Sequence, residues 1–281
     1  MTEPLVSIEN LRVSFATEDG GEAPAVRGVS FSLGREKLGI VGESGSGKSL
    51  SGRALMGVLP GAARMRADHM SFDGIDLLTA SARSRRDLRG SRMAMVLQDP
   101  KFSLNPIMRV GLQIVEALRI GARHISARAA RTQTLAMLEA VQIRDPERVF
   151  DLYPHELSGG MGQRVMIAMM VVREPDLLIA DEPTSALDVT VQGQVLSIMD
   201  ELVTRRGMGL ILISHDLNLV SRFCDRVLVM YAGRVVEEIR ARDLHAAQHP
   251  YTRGLMACLP SIDGPQEPLP VLDRQAAWAE D

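Results

Sequence analysis

The residues from Gly42 to Ser49, Gly-Glu-Ser-Gly-Ser-Gly-Lys-Ser, constrain the fold more than any other part of this sequence. They match the phosphate-binding pattern GxxxxGK[ST], in which a glycine-rich loop joins a buried strand to a helix. The flanking residues provide that setting, because the apolar run Leu38–Val41 precedes the loop and apolar residues at helical spacing follow it from Leu50 until Pro60 ends the run. The sequence therefore predicts a strand, a phosphate-binding loop and a helix in an α/β protein.

The chemistry of this loop follows from the residue types within it. Glycine lets backbone N–H groups turn inward around phosphate oxygens, and the following helix directs the positive end of its dipole at them. Lys48 is predicted to reach the β- and γ-phosphates, and Ser49 offers a hydroxyl to Mg²⁺. The residues predicted to bind the nucleotide here are Gly42, Ser44, Gly45, Ser46, Gly47, Lys48 and Ser49.

Apolar residues elsewhere predict two kinds of sheet. Between Leu5 and Leu33 they alternate in short runs on either side of a turn at 18–22, which predicts antiparallel strands. Three continuous apolar runs are separated by helical patterns, which predicts a parallel sheet covered by helices on both faces. These runs are Met93–Leu97, Leu177–Ala180 and Leu210–Ile213.

Helical patterns predominate in the middle of the chain. Between about residues 99 and 160 the pattern predicts helices without strands, which indicates a helical insertion in the α/β domain. A further helix is predicted after Asp188, and a hairpin is predicted over Val227–Val236 with its turn at Ala232-Gly233. A proline-containing tail is predicted to begin near His249.

Charge and apolar content argue against several classes of function. The formal net charge of −3 disfavours a general nucleic-acid binder. The arginines at 83, 85, 86, 89 and 92 lack interleaved aromatic residues that would stack on bases, so they are predicted to form a solvated face rather than a phosphate-backbone site. The longest apolar run, Val165–Val172, is far shorter than the about 18 residues that cross a bilayer, and no signal peptide is visible. A membrane role is therefore expected only through partner chains, and Cys224 and Cys258 are predicted to be packed thiols.

Two adjacent acids follow the second of the buried runs. Asp181 and Glu182 come directly after Leu177–Ala180, as in the Walker B element of nucleotide-hydrolysing proteins. In that interpretation Asp181 holds the Mg²⁺ shell and Glu182 polarises the attacking water as general base. The alternative is a strand end with two exposed carboxylates, and the phosphate-binding loop upstream favours the Walker B interpretation.

The segment Leu157–Arg164, Leu-Ser-Gly-Gly-Met-Gly-Gln-Arg, resembles the signature motif of ABC ATPases, although a loose Ser-Gly-Gly turn is the alternative. The resemblance implies an α/β fold with a P-loop NTPase core of the RecA-like type, an amino-terminal antiparallel β subdomain and an inserted helical subdomain. It also implies that Ser158, Gly159 and Gly160 bind the γ-phosphate of ATP held by an opposite subunit, so that the active unit is a sandwich dimer. Met161 stands where the commonest form of the motif has Gln, and the Ser-Gly-Gly turn is intact.

Four more residues lie where ABC ATPases have functional side chains. Gln98 resembles the Q-loop glutamine that contacts Mg²⁺ or water, and His215 resembles the switch histidine that contacts the γ-phosphate, although an isolated histidine would be structural. Asp188 ends a segment that resembles the D-loop, which crosses the dimer interface. Phe15 is a candidate for stacking on adenine, with a core strand position as an equal alternative. The resemblance thus implies the Mg²⁺ ligands Ser49, Gln98 and Asp181.

Two further stretches resemble one subfamily, the importers for dipeptides, oligopeptides and nickel. They are Gln98-Asp99-Pro100 followed by Ser103-Leu104-Asn105-Pro106, and His249-Pro250-Tyr251-Thr252-Arg253-Gly254-Leu255. The resemblance implies an ATPase domain over residues 1–245, with its helical insertion at about 99–160, and a carboxy-terminal extension over 246–281.

The subfamily resemblance also implies partners and a location. It indicates a subunit that uses ATP and Mg²⁺ at the cytoplasmic face of the inner membrane. Its partners would be a second ATPase subunit, either a paralogue or a second copy, two transmembrane permeases and, indirectly, a solute-binding protein. Di- or oligopeptides are the favoured cargo, and the alternatives are nickel or opine uptake or a soluble ABC ATPase outside transport.

Overall fold

The computed structural model describes residues 3–17, 19–100, 103–120, 124–185, 187–258 and 278. The chain divides into two compact units, one formed by Met1–Ala80 with Ile211–Asp281 and the other by Ser81–Leu210. The sequence predictions also involved Glu18, Ala186 and the tail beyond Cys258, which lie outside the described residues except for Trp278. The first unit therefore holds the phosphate-binding loop, and the second holds the paired acids and the signature segment.

Strands and helices alternate along much of the chain. In the described residues the strands are β1 (Val6–Ala16), β2 (Glu22–Leu33), β3 (Lys37–Val41), β4 (Ala63–Arg66), β5 (His69–Phe72), β6 (Ile75–Asp76), β7 (Met93–Val96), β8 (Leu177–Asp181), β9 (Gly209–Ile213), β10 (Arg226–Tyr231) and β11 (Arg234–Arg240). The α-helices are α1 (Lys48–Met56), α2 (Ala82–Leu88), α3 (Val110–Arg119), α4 (Ala127–Ala140), α5 (Pro146–Asp151), α6 (Gly159–Val171), α7 (Val189–Arg206), α8 (Leu217–Phe223) and α9 (Pro250–Ala257). Short 3₁₀ helices occupy Pro154–Glu156 and Ala241–Ala246.

The first unit contains the antiparallel sheet that the alternating apolar residues predict. Strand β1 pairs with β2 from Val6 opposite Leu33 to Ala16 opposite Glu22. Strand β1 also pairs with β4 and β5, and β5 pairs with β6, all in antiparallel orientation. The prediction of antiparallel strands is confirmed, but β4, β5 and β6 are missing from it, because strands of two to four residues are too short to show a period.

A second sheet in the first unit carries the phosphate-binding loop. Its strands lie in the order β11, β10, β3, β9, with β3 parallel to β10 and β10 antiparallel to β11. The turn between β10 and β11 has positive φ angles at Ala232 (46°) and Gly233 (86°), as a type I′ hairpin turn requires. The predicted hairpin is therefore confirmed, and its turn lies at the predicted residues.

Helix α1 is shorter than the apolar pattern predicts. It ends at Met56 because Gly57 adopts a left-handed conformation with φ 63°, and the N–H groups of Gly57 and Val58 donate to carbonyls of the last turn. Val58, which the pattern assigned to the helix, lies beyond it and is 47% exposed. The predicted helix is thus confirmed and its predicted end near Pro60 is wrong.

Helix α9 stands where the sequence predicts a proline-containing tail. Pro250 occupies the first turn of the helix, where its missing N–H leaves no hydrogen bond unmade. His249 caps the helix, because its Nδ1 accepts a hydrogen bond of 3.2 Å from the backbone N–H of Tyr251. The predicted tail therefore begins with a helix over Pro250–Ala257, which the proline content alone does not indicate.

Helix α8 packs against strand β3 through Val220 and through Cys224, the residue that follows the helix. A Cβ atom on Gly39 would lie 2.2 Å from Cγ1 of Val220 and 3.3 Å from the sulfur of Cys224, so the helix approaches the strand closely. Burial raises the pKa of the Cys224 thiol to about 12 from an ordinary value of 9.0. The prediction that Cys224 is a packed thiol is confirmed, whereas Cys258 is partly exposed.

The buried thiol leads to a prediction about reactivity. A pKa of about 12 rather than 9.0 leaves about 10³-fold less thiolate at pH 8, and the thiolate is the reacting species. In a Cys258→Ser variant we expect Ellman's reagent to label the native protein at least about 10²-fold more slowly than the urea-unfolded protein. Because the folded pKa is raised, the Cys224 contribution to stability is complete below pH 9 and is lost between pH 9 and 12. Rapid labelling of native Cys258→Ser at pH 8 would contradict the burial of Cys224.

The second unit contains two of the predicted parallel strands. Strand β7 is parallel to β8, with Met93 opposite Leu177, and every residue of both strands is buried. At the start of the pair, Nε of Arg92 lies 2.8 Å from a carboxylate oxygen of Asp176. Arg92 is therefore partly exposed and ion-paired, whereas Arg83 and Arg86 are exposed, as a solvated face predicts.

The remaining helices of the second unit follow the prediction. Helices α3, α4 and α5 lie within the predicted insertion, and the described residues between 99 and 160 include no strand. Helix α7 begins directly after Asp188, as predicted. Across the described ranges, no helix has both the length and the apolar character needed to span a membrane.

Candidate functional site

The backbone of the phosphate-binding loop requires glycine at two positions. Gly42 has φ 146°, and a Cβ atom there would lie 2.1 Å from the carbonyl oxygen of Met230. Gly47 has φ 95°, and its Cβ atom would lie 2.8 Å from the carbonyl oxygen of Ala25. Both distances are shorter than real side chains allow, so the neighbouring strands β2 and β10 can approach the loop only because glycine stands there.

The side chain of Lys48 bonds to backbone carbonyls at the start of the loop. Its side chain is buried, and Nζ donates hydrogen bonds of 2.7 Å to the carbonyl of Gly42 and 2.8 Å to the carbonyl of Glu43. A buried ammonium group is costly unless polar groups surround it, and these carbonyls supply that environment. The lysine that the sequence predicts as a phosphate ligand therefore lies at the centre of the loop.

The loop also has the features that a phosphate group requires. Ser44 and Gly45 are exposed at its tip, and α1 begins at Lys48 without a side-chain cap from Gly47. Among the described residues, the buried hydroxyl oxygen of Ser46 has no hydrogen-bond partner. An uncapped helix start and a buried polar atom in a glycine-lined loop fit an anionic ligand, because both can bond to its oxygens.

His215 and Phe15 belong to the same unit as the loop. The backbone N–H of Ser214 donates a 3.1 Å hydrogen bond to the carbonyl of Ile40 in β3, the strand that leads into the loop. His215 therefore leaves β9 beside the strand that enters the loop, and its side chain is exposed. Phe15 is partly buried in β1, opposite Ala23 of β2 and Ala63 of β4.

The paired acids end strand β8 in the second unit. Asp181 is the last residue of the strand and is only 5% exposed, whereas Glu182 is partly exposed and has φ 48°. The carbonyl of Glu182 accepts a 3.2 Å hydrogen bond from the hydroxyl of Ser185. This turn redirects the chain immediately after the strand. Asp181 is therefore buried at the end of the strand, whereas Glu182 is partly exposed in the turn.

Gln98 lies at the same edge of the second unit's strands as the acids. It is exposed and follows β7, whose Val96 lies opposite Ala180 in β8. Because β7 and β8 are parallel, their carboxyl ends lie side by side, and Gln98 is brought close to the acid pair. Pro100 then approaches α6, since a Cβ atom on Gly162 would lie 3.5 Å from its ring.

The signature segment forms the start of helix α6. The hydroxyl of Ser158 caps the helix by accepting a hydrogen bond of 3.4 Å from the N–H of Met161. Ser158 and Gly159 are exposed, and a Cβ atom on Gly160 would lie 2.6 Å from Cγ1 of Val191 in α7. Glycine at position 160 therefore permits α6 and α7 to pack closely, which the sequence analysis did not anticipate.

Asp188 makes a structural contact at the start of α7. Its carboxylate accepts a 3.0 Å hydrogen bond from the N–H of Val191, which caps α7. The preceding Leu187 lies near the signature segment, because a Cβ atom on Gly159 would be 3.8 Å from one of its methyl groups. Within the second unit, the structure thus brings the end of the predicted D-loop and the signature segment together.

Comparison with known proteins gives the family of the chain. The family model for ABC transporters matches residues 26–185. The dipeptide transport ATP-binding protein DppD of Bacillus subtilis is 46% identical over 264 residues, which are 93% of this chain and 78% of the relative. The oligopeptide transport ATP-binding protein OppD of Salmonella typhimurium is 46% identical over 261 residues, which are 92% of this chain and 77% of the relative. This chain belongs to the ABC transporter family.

The fold of this ABC protein agrees with that assignment. MJ0796, described as a dimeric bacterial ABC transporter cassette, superposes with a TM-score of 0.74 at 25% identity, over 84% of this chain and 99% of the neighbour. The predicted ABC ATPase fold is therefore confirmed, and the protein is an ATP-binding, ATP-hydrolysing cassette.

One residue at the loop of this ABC protein was missed as a site residue. The hydroxyl of Tyr251 in α9 lies 3.0 Å from the backbone nitrogen of Glu43, although 208 positions separate the two residues. In the sequence, Tyr251 stands out only as part of the segment His249–Leu255, which resembles one subfamily. Its signal was an aromatic residue directly after a helix-starting proline, which by itself indicates packing rather than contact with a loop.

Proposed function

We propose that this ABC ATPase energises an importer for dipeptides or oligopeptides. The observation that carries the proposal is 46% identity, over more than three quarters of each relative's length, to proteins named for dipeptide and oligopeptide transport. The identity extends through more than nine tenths of this chain, beyond the residues that the family model matches. The segment from His249 to Leu255, which resembles peptide and nickel importers, supports the same conclusion.

The proposed site uses MgATP. Lys48 and the glycine-rich loop bind the phosphates, and the fit of the uncapped helix start and of Ser46 to an anion supports this. Ser49, Gln98 and Asp181 would hold Mg²⁺, because hydroxyl, amide and carboxylate oxygens are the hard ligands that this ion prefers. Bound Mg²⁺ neutralises charge that develops on the phosphates.

We infer the catalytic roles from the position and exposure of each side chain. Glu182 acts as general base toward the attacking water, and its partial exposure at a strand end leaves the carboxylate accessible to that water. His215 contacts the γ-phosphate, and Phe15 stacks on adenine from its partly buried position in β1. Asp188 caps α7 while the D-loop that it ends crosses to a second subunit.

We further propose that two ATPase subunits form each pair of sites. Ser158, Gly159 and Gly160 bind the γ-phosphate held by the opposite subunit, and the exposure of Ser158 and Gly159 at the start of α6 supports this role. The second subunit is another copy or a paralogue. Two permeases and, indirectly, a solute-binding protein complete the importer, which places this chain at the cytoplasmic face of the inner membrane. The ATPase domain spans 1–245, with its helical insertion at about 99–160, and the extension spans 246–281.

The cargo is tested by transport. In cells that depend on this chain, Glu182→Gln is expected to reduce uptake of a radiolabelled dipeptide to background, while a matched surface variant, Glu201→Gln, retains it. Glu201 is suitable because its carboxylate forms an exposed ion pair with Arg205 on α7. Unlabelled di- and tripeptides are expected to compete, and nickel is not. Unchanged dipeptide uptake in Glu182→Gln cells, together with lost nickel uptake, would contradict the proposed cargo.

A further inference from the structure

Tyr251 contacts the phosphate-binding loop from outside the segment that carries the loop motif. Its side chain is fully buried in α9, and its hydroxyl accepts a 3.0 Å hydrogen bond from the backbone N–H of Glu43. Glu43 is the second residue of the loop and follows Gly42, whose φ of 146° only glycine adopts readily. The bond therefore reaches the loop at its most constrained turn.

The same residue of the loop is held from its other side by Lys48. The carbonyl of Glu43 accepts a hydrogen bond from Lys48 Nζ, while its N–H donates to Tyr251. These two bonds fix both backbone polar groups of one residue, so the orientation of Glu43 and the position of the lysine ammonium are linked. The turn between β10 and β11 adds a third restraint, because the N–H of Gly233 donates a 3.2 Å hydrogen bond to the carbonyl of Ser46.

An aromatic cluster holds the phenol of Tyr251 in place. We define the cluster as Tyr231, His249, Tyr251 and Trp278. The ring centre of Tyr251 lies 4.5 Å from the ring centre of Tyr231 and 5.9 Å from that of Trp278, and both pairs of rings are tilted. Trp278 also contacts His249, with ring centres 6.4 Å apart, and is itself buried. Such packing restricts the ring of Tyr251 to one orientation, in which its hydroxyl meets the loop.

We propose that Tyr251 is a positioning residue that holds the phosphate-binding loop in its nucleotide-binding shape through the hydrogen bond to Glu43. This inference rests on the proposed nucleotide site and adds to it a residue of the carboxy-terminal extension. Removal of the hydroxyl leaves the Glu43 N–H without this partner, and the loop relaxes away from the geometry in which Lys48 meets phosphate. The extension thus contributes to nucleotide affinity without touching the nucleotide.

The test is nucleotide binding by the full chain, measured by calorimetry with Mg²⁺ and the non-hydrolysable analogue AMP-PNP. Tyr251→Phe keeps the ring and removes the hydroxyl, so we expect a dissociation constant about five- to tenfold higher, the scale of one lost hydrogen bond. Tyr231→Phe removes the neighbouring hydroxyl of the cluster and leaves the bond to Glu43 intact, so its affinity is expected to stay within about twofold of wild type. In the assembled importer, Tyr251→Phe is expected to raise KM for ATP and to preserve kcat, because the restraint acts on ground state and transition state alike.

A second variant separates the hydrogen bond from packing. Trp278→Leu loosens the cluster but keeps the Tyr251 hydroxyl and its nearest ring, Tyr231. It is therefore expected to lower the thermal midpoint and to raise the dissociation constant by less than Tyr251→Phe does. Equal loss of affinity in Tyr231→Phe, Trp278→Leu and Tyr251→Phe would overturn the proposal, because packing alone would then explain it. Wild-type affinity in Tyr251→Phe would also overturn it.

Lys48→Ala distinguishes failure of this inference from failure of the nucleotide site. Loss of AMP-PNP binding in Lys48→Ala supports the proposed site, because the variant removes a charge that meets the phosphates. If Lys48→Ala loses binding and Tyr251→Phe does not, the site stands and the positioning role is wrong. If Lys48→Ala binds AMP-PNP as tightly as the wild type does, the proposed nucleotide site is wrong. The positioning role of Tyr251 is then wrong as well.

Discussion

Glu182→Gln is expected to retain MgATP binding and to lower ATP hydrolysis by about 10²- to 10⁴-fold, the usual contribution of a positioned general base. The amide has nearly the same shape as the carboxylate but cannot accept the proton of the attacking water. Glu182 directly follows the buried strand β8, and its carbonyl is bonded to Ser185 in the next turn. The substitution should therefore leave the backbone geometry unchanged.

Steady-state phosphate release from the assembled importer and binding of labelled ATP measure the two effects separately. The matched control is Glu201→Gln, which makes the same chemical change at an exposed position of α7 and is expected to hydrolyse ATP at the wild-type rate. The Glu182→Gln protein should accumulate as an ATP-bound dimer. Turnover near the wild-type rate in that variant would show that Glu182 is not the base.

Ser158→Arg is expected to abolish ATP-induced dimerisation and hydrolysis while an isolated subunit still binds nucleotide. The phosphate-binding loop lies on other residues of the chain and is unaltered by the change. Ser158 is exposed at the start of α6, so an arginine there would occupy the space proposed for the γ-phosphate of the opposite subunit. Light scattering with MgATP in a Glu182→Gln background measures the dimer, and phosphate release from Ser158→Arg with Glu182 intact measures hydrolysis.

The control for this experiment is Ser158→Ala. Ser158 also caps α6, and loss of a helix cap costs about 1 kcal/mol of stability, so Ser158→Ala isolates that effect without filling the site. The alanine variant is expected to dimerise, with a slightly lower thermal midpoint. Because the second subunit is proposed to be another copy or a paralogue, both variants are measured alone and with the paired subunit. An arginine variant that dimerises and hydrolyses ATP normally with its partner would refute the proposed sandwich.

Much of this fold could be predicted because its signals are local. Strand β8 reads as a continuous apolar run because it is buried along its whole length, and β1 and β2 alternate because their residues differ in burial along the strand. The loop from Gly42 to Ser49 was found from its glycine spacing, since close approach and positive φ require that residue type. The signature and acid motifs were equally local.

Other features were not predictable because short segments carry no period. Strands β4 to β6 each have four residues or fewer, and β6 has two. Helix α9 begins with His249-Pro250, where proline indicates either an irregular tail or the first turn of a helix, and the cap from His249 decides between them. The end of α1 at Gly57 likewise depends on a left-handed conformation that an apolar pattern does not report.

The sequence by itself determined the family, the phosphate-binding loop and the candidate acids, because each depends on residue types at short spacing. Only the tertiary structure decided which distant residues support that loop. Tyr251 reaches Glu43 across 208 positions, and Met230 and Ala25 explain why Gly42 and Gly47 are required. Such contacts depend on how strands and helices pack, and packing brings together residues whose separation along the chain carries no signal.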